Sequence, residues 1–251
     1  IAACKRLTLC VACLLALGCY PSNVVADADR EVQERNLKVS WKPATAADLP
    51  GFYATTKIDA ERALLDSVDD VFQPTILRLS TAYGWSHRPR FDLVANLLSA
   101  KAVTDKDITV FNGEQWRPFV NTHDISRSIS AAFESPLESV GGEIFNVWDN
   151  AQNYTISQLG QIVADAVPGT VVNEVRNDED PRNYRVCFDK IQRVLGFRSV
   201  MTVENGIQEI VNAVQGDKVE DWKDPKYSNL RQMEGTVNVL RFKQPEAAET
   251  R

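Results

Sequence analysis

Histidine and methionine are scarce, with 2 of each in 251 residues. A histidine-built metal cluster is therefore excluded by count. Positive charge is not in excess either: 28 Lys plus Arg stand against 34 Asp plus Glu, a formal net charge of -6. Phosphate contacts supply most nucleic-acid affinity and need a basic face, so this balance argues against a dedicated nucleic-acid binder. It leaves room for an anionic small substrate, which needs only a few local cations. The longest apolar run, Leu7 to Leu17, falls short of the ~20 residues of an ordinary transmembrane helix. Finally, no G-x-x-G-x-x-G occurs anywhere in the chain. That turn is the usual cradle for a dinucleotide pyrophosphate at a helix N-terminus.

What is present is globular in composition, with 44% apolar and 25% charged residues. The length suits one domain, or one domain with a small lobe. Cysteine is unevenly spread: Cys4, Cys10, Cys13 and Cys19 all fall within the first 19 residues, as does the apolar run that follows Lys5-Arg6. Three readings of this stretch stand. It is a secretory or lipoprotein signal ending at Cys19, although Ala16 holds the place where a lipobox wants Leu. It is a metal or redox site built on Cys10-Val11-Ala12-Cys13, although its flanks are apolar. Or it is a buried strand of a parallel sheet, which reads as a continuous apolar run.

Further along, the periodicity predicts helices near 28–34 and over 54–66, 91–102, 124–133, 155–166, 189–195 and 203–214. It predicts strands at 74–79, 108–111, 117–121, 142–147 and 171–175. Asn112-Gly113 reads as a turn, and Gly196 as a helix stop. Thr122 or Asp124 is expected to cap the helix at 124, and Thr155 or Ser157 the one at 155. Past Gly216 the sequence turns polar. Strands alternate with helices, so the class is α/β.

The stretch richest in chemistry is Gly51-Phe52-Tyr53-Ala54-Thr55-Thr56-Lys57. At a helix start, Tyr53 and Lys57 are four apart and share a face. An ammonium beside a phenol favours the phenolate and lowers the Tyr pKa toward neutrality. Such a Tyr acts as general acid or base toward a sugar or alcohol hydroxyl. By itself, Y-x-x-x-K arises by chance on many exposed helix faces.

Several further blocks follow it in order. Pro74-Thr-Ile-Leu-Arg78-Leu79-Ser80-Thr81-Ala82-Tyr83-Gly84 is one. Phe111-Asn-Gly-Glu-Gln-Trp-Arg117-Pro-Phe-Val120 with Asp124-Ile125 is another. Gly142-Glu-Ile-Phe-Asn146-Val147 comes next, and then Tyr184-Arg185-Val186, Lys190 and Leu195-Gly196-Phe197. From Gly51 to about Val214 their order and spacing resemble the extended short-chain dehydrogenase/reductase family, in its NAD-dependent sugar epimerase/dehydratase branch. The resemblance implies a Rossmann-like parallel sheet, incomplete at the N-terminus, with a smaller C-terminal α/β substrate lobe. It divides the chain into 1–84, the remaining cofactor-binding part with the Y-x-x-x-K helix; 85–216, mixed Rossmann strands and substrate lobe; and 217–251, a polar tail.

The same resemblance implies NAD as cofactor and a nucleotide-sugar as substrate, with oxidation and reduction at a sugar carbon. Tyr53 would be the acid/base, and Lys57 would hold the nicotinamide ribose and tune Tyr53. Leu79 would lie near the nicotinamide amide, and Thr81 stands where an Asn often meets the substrate. Arg117 is the candidate for the diphosphate, because a guanidinium offers it a bidentate fork. Arg182 is a second candidate, and Arg176 could serve instead. A cytoplasmic location follows, with no membrane contact unless residues 1–19 are a signal for export. A homodimer is compatible with the resemblance.

Two departures leave catalysis open. The glycine-rich turn is absent, so the chain looks like the C-terminal two-thirds of such an enzyme, with Cys4 to Leu9 expected as the strand before the catalytic Ser/Thr. That Ser/Thr is itself missing, its place falling on Ala16 or Ala12. Residues 12–19 also hold no carboxylate, which leans toward epimerase or reductase chemistry over dehydration. The alternatives are a non-catalytic sugar-nucleotide-binding or partner protein of the same fold, and an exported lipoprotein that shares only the fold.

Overall fold

The computed structural model describes residues 11–15, 51–177, 183–229 and 231–232, with the backbone alone for 11–15 and 51–56. Fifteen regular elements follow one another in that part of the chain. Strand β1 (Val11–Leu15) precedes helix α1 (Gly51–Asp66). Strands β2 (Thr75–Leu79) and β3 (Thr81–Tyr83) are separated by Ser80 alone. Helix α2 (Val94–Asp105) leads into β4 (Asp107–Phe111), β5 (Trp116–Asn121), α3 (Thr122–Glu134) and the short α4 (Leu137–Val140). The remainder are β6 (Ile144–Val147), β7 (Asn153–Thr155), α5 (Ile156–Ala166), β8 (Val171–Val175), α6 (Asp189–Leu195) and α7 (Val203–Gln215).

Three small sheets result. The first has the order β1-β2-β6 and is wholly parallel, with Leu15 beside Leu79 and Leu79 beside Val147. The second has the order β3-β5-β7, where β3 and β5 run parallel and β7 antiparallel. The third is the parallel pair β4 and β8. Parallel strands need crossover helices, and those helices bury the sheet faces. This is the expected α/β class with Rossmann-like parallel strands. The apolar N-terminal run does enter a parallel sheet, but as Val11–Leu15; Cys4 to Leu9, expected as the strand, lies outside the described residues.

The first sheet has two unequal faces. Leu77 and Leu79 of β2, with Phe145 and Val147 of β6, join the main core with Tyr83, Phe119, Trp148, Leu159 and Ile207. On the other face Ile76 and Ile144 form a small separate cluster with the partly buried Leu64 and Leu65 of α1. Helix α1 therefore lies on the thinly apolar side. A third cluster joins Phe91, Ala100, Ile210, Val214, Val219 and Tyr227, so residues beyond Gly216 pack against α2 and α7.

Local chemistry sets most element ends. Thr155 caps α5 through a capping box: its Oγ1 accepts from the Gln158 N–H at 3.1 Å, and the Gln158 side chain accepts from the Thr155 N–H at 2.8 Å. Thr202 and Asn205 cap α7 in the same way. Helix α3 is capped by neither expected residue but by Asn121, whose Oδ1 accepts from the His123 N–H at 2.8 Å. Asp124 lies inside that helix, fully buried, and its carboxylate serves a different purpose. It accepts from the N–H groups of Val200 and Met201, at 3.1 and 3.0 Å, and from Arg127 Nη1 at 2.7 Å, tying α3 to the approach of α7. Gly196 ends α6 in the left-handed region, φ 62°.

Candidate functional site

Helix α1 is held by one polar contact in particular. Glu61 is fully buried and Arg78 nearly so. Arg78 Nε donates to Glu61 Oε2 at 2.9 Å, and Nη2 donates to Oε1 at 2.5 Å. This is the two-pronged guanidinium–carboxylate geometry. Arg78 sits next to the C-terminal end of β2, and Leu79 follows it as a buried residue of the main core. Ser80 then bridges the strand ends, its hydroxyl donating to the Val147 carbonyl at 3.3 Å. Ligands of open parallel sheets bind outside these carboxyl ends.

Positions 53 and 57 are one turn apart on α1, as expected, and Glu61 follows one turn later. Lys57 is half-buried. The side chain of Tyr53 lies outside the described residues.

Thr81 and Arg117 come together on the second sheet. Thr81 pairs with Phe119, and Arg117 stands two residues before Phe119, so both belong to one face. Tyr154 of β7 lies directly opposite Arg117. Arg117 is only 8% exposed. Its Nη1 donates to the Trp116 carbonyl and its Nη2 to Gln115 Oε1, both at 2.9 Å, while the guanidinium carbon stands 5.3 Å from the Tyr184 ring centroid. Arg185 lies over Trp116 at 4.4 Å. Two guanidinium groups and two aromatic rings thus interleave at the start of β5, each cation over a ring face.

Two described asparagines, Asn177 and Asn183, are tied to residues around that cluster. Asn112 and Asn177 exchange bonds: Asn112 Nδ2 donates to Asn177 Oδ1 at 2.9 Å, and the Asn177 N–H donates to Asn112 Oδ1 at 2.8 Å. Beyond it, Asn183 Oδ1 accepts from the Trp116 N–H at 3.0 Å. Arg182 itself lies outside the described residues, and Arg176 is exposed just past β8. These asparagine clamps were not anticipated from sequence. Asn112 was read only as a turn residue, and nothing in the chain links positions 112 and 177 before the β4–β8 pairing brings them together.

Tyr83 and Tyr154 also lie on this second sheet, and neither is a candidate base. Burial pushes the Tyr83 phenol well above its ordinary range, with the nearby Asp124 adding to the shift, and its hydroxyl donates to the Thr202 carbonyl at 2.9 Å. Partial burial raises Tyr154 as well.

Whether the chain fits the pyrophosphate of a dinucleotide is decided by its glycines. Such a cradle needs open backbone N–H groups at a helix N-terminus. A Cβ on Gly113 would strike Ser157 Oγ, one on Gly160 would stand 2.7 Å from Val110 Cγ2, and one on Gly206 would strike Tyr83 Cε2. These glycines are closed by protein atoms. Gly142, Gly169 and Gly196 have room for a Cβ, but each follows the C-terminal end of a helix, the wrong end for an anion. None of these glycines offers open N–H groups at a helix N-terminus, and the sequence has no G-x-x-G-x-x-G turn. Among the described residues there is also no group of His, Cys, Asp and Glu that could hold a metal ion, and no helix long and apolar enough to cross a membrane.

Comparisons with known proteins follow the same lines. Residues 42–147 match the model of the NAD dependent epimerase/dehydratase family. The fold matches RMD from Pseudomonas aeruginosa, solved with NADPH, at 16% identity and TM-score 0.60, over 78% of this chain and 63% of that one. It matches dTDP-glucose 4,6-dehydratase from Bacillus anthracis, in complex with NAD, at 18% identity and TM-score 0.59, over 75% and 58%. It matches UDP-glucose 4-epimerase from Thermotoga maritima, with UDP-glucose, at 20% identity and TM-score 0.59, over 72% and 60%. The match thus spans about three-fifths of the length of these proteins. The family that the sequence blocks resemble is the one whose model matches residues 42–147, and the fold is the Rossmann-like one of the extended short-chain dehydrogenase/reductase sugar epimerases and dehydratases.

Proposed function

We propose that this chain carries the proton-transfer and substrate-holding half of an NAD-dependent nucleotide-sugar epimerase or reductase. The observation that carries the reading is helix α1. It places positions 53 and 57 one turn apart, inside the segment that matches the family model, and Glu61 docks it beside the C-terminal end of β2. In this reading the Lys57 ammonium holds the Tyr53 phenol partly ionised near neutral pH. The Tyr53 oxygen then takes a proton from a sugar hydroxyl and returns it to the product. Thr81 and Arg117 face the substrate from the second sheet, with Arg117 and Arg182 on the diphosphate. NAD, when bound, supplies the hydride chemistry. Leu79 and Lys57 would face its nicotinamide end, but the sequence has no G-x-x-G-x-x-G turn for its pyrophosphate. The absence of any carboxylate from residues 12–19 favours epimerase or reductase chemistry over dehydration.

The test is a titration of the Tyr53 phenol by carbon-13 NMR of labelled tyrosine, assigned with Tyr53→Phe. The phenol is expected to titrate below the ordinary tyrosine range in the wild type and to return to that range in Lys57→Met. An ordinary phenol in both would overturn the acid/base role.

A second reading, a non-catalytic sugar-nucleotide-binding protein, has one observation in its favour. Strand β1 ends beside Leu79, where the family's catalytic Ser/Thr is expected, and neither Ala12 nor Ala16 carries a hydroxyl. It would be preferred if the chain bound nucleotide-sugars while Tyr53 titrated normally.

A further inference from the structure

We propose that Glu61 and Arg78 are positioning residues, and that their buried pair fixes the register of α1 on the sheet and through it the place of Tyr53 and Lys57. The inference rests on the proposed role of those two residues but is carried by separate observations. The first is the burial pattern of the helix's described side chains. Of its residues from Lys57 onward, Ile58 and Glu61 are deeply buried, while Leu64 and Leu65 are half-buried and pack on the small Ile76–Ile144 cluster. Apolar contacts of this kind are non-directional and tolerate sliding along the helix axis. The second is the geometry of the pair. Two N–H···O bonds in one plane fix both distance and rotation, which a point charge does not. The third is location. Glu61 is one turn beyond Lys57 and two turns beyond Tyr53, while Arg78 precedes Leu79 at the end of β2 where the site begins.

A charge pair buried to this depth is a weak source of net stability, since desolvation offsets most of its attraction. Its value lies in excluding other registers. Losing one partner should therefore loosen α1 before it loosens the main core, which lies on the opposite face of the sheet and contains neither residue.

The experiment is amide hydrogen exchange, read by mass spectrometry on the full chain, for the wild type, Glu61→Gln and Arg78→Lys. Peptides spanning 53–60 are expected to exchange roughly tenfold faster or more in both variants, while peptides from β4 and β5 keep their protection. Arg78→Lys retains the charge and loses the fork, so recovery of wild-type exchange in that variant would overturn the geometric argument. Unchanged exchange in α1, or equal acceleration across β4 and β5, would overturn the positioning role altogether. The Tyr53 titration adds a readout that a merely structural pair would not move: both variants should shift the phenol back toward the ordinary range. If wild-type Tyr53 already titrates as an ordinary phenol, the acid/base reading fails, and the exchange data still decide the role of the pair.

Discussion

Gly206 gives the most exacting check on how α7 seats against the second sheet. It lies in the first half of the helix, and a Cβ built there would strike Tyr83 Cε2 and stand 2.6 Å from Asn121 Nδ2. Neither neighbour has room to retreat. Tyr83 is 1% exposed, bonded through its hydroxyl to the Thr202 carbonyl, and packed edge-to-face against both Phe119 and Trp148. Asn121 is fully buried and caps α3. In an exposed helix Gly→Ala stabilises by about 1 kcal/mol through backbone entropy. Here overpacking costs about 2–3 kcal/mol, the upper part of its usual range, because the struck atoms are rigid. Gly206→Ala should therefore lose about 1–2 kcal/mol, read as a lower urea midpoint at unchanged slope. In a Tyr83→Ala background the same substitution should lose only the part of its penalty that comes from the ring, the Asn121 contact remaining, a coupling that a double-mutant cycle resolves. A Gly206→Ala protein as stable as wild type, or more so, would refute this packing.

Three further outcomes are expected. The protein should hold NAD weakly, with calorimetric titration showing no dissociation constant near about 1–10 μM, because its sequence carries no G-x-x-G-x-x-G turn; tight binding would contradict that reading. Asp124→Ala should cost about 2–6 kcal/mol in urea denaturation, since it strips the Val200 and Met201 N–H groups of their acceptor at ~1–3 kcal/mol each; a loss under ~1 kcal/mol would show that water replaces the carboxylate there. Tyr83 has a folded pKa raised by burial, so its contribution is fully present below the unfolded value of about 10 and is lost as pH climbs above it. Wild type should accordingly lose urea stability above about pH 10 more steeply than Tyr83→Phe, and parallel curves would contradict the assignment.

Much of the fold was legible because its signals are local. The alternation of apolar strands and amphipathic helices gave β4, β5, β8, α5, α6 and α7 nearly to the residue, and Thr155 and Gly196 announced their helix ends. Strand β3 was missed because Thr81–Tyr83 continues β2 after a single residue and differs from it only in its partner. Strand β7 was missed because three residues carry no periodicity. The cap of α3 went to Asn121 because the helix starts at Thr122, directly after β5 and two residues before the expected Asp124. In the site, the helical spacing of Tyr53 and Lys57 and the guanidinium of Arg117 could be read directly. The Glu61–Arg78 fork, the Asn112–Asn177 exchange and the Asn183 clamp could not, for they join positions that only sheet pairing and helix docking bring together.

The central claim is that the second sheet holds a nucleotide-sugar diphosphate through Arg117, and one titration tests it most directly. Wild type, Arg117→Ala and Arg117→Lys are titrated calorimetrically with a uridine or thymidine diphosphate-sugar. Because a charge-assisted bond to phosphate contributes about 1.5–3 kcal/mol, Arg117→Ala should bind roughly ten- to a hundredfold more weakly. Arg117→Lys should recover only part of that loss, since it offers a charge without a fork. Circular dichroism on the same samples separates lost binding from the loss of the Trp116 and Gln115 contacts. Equal affinities for all three would contradict the claim and move the phosphate site to Arg182 or Arg176, and a wild type that binds no diphosphate-sugar would remove the site altogether.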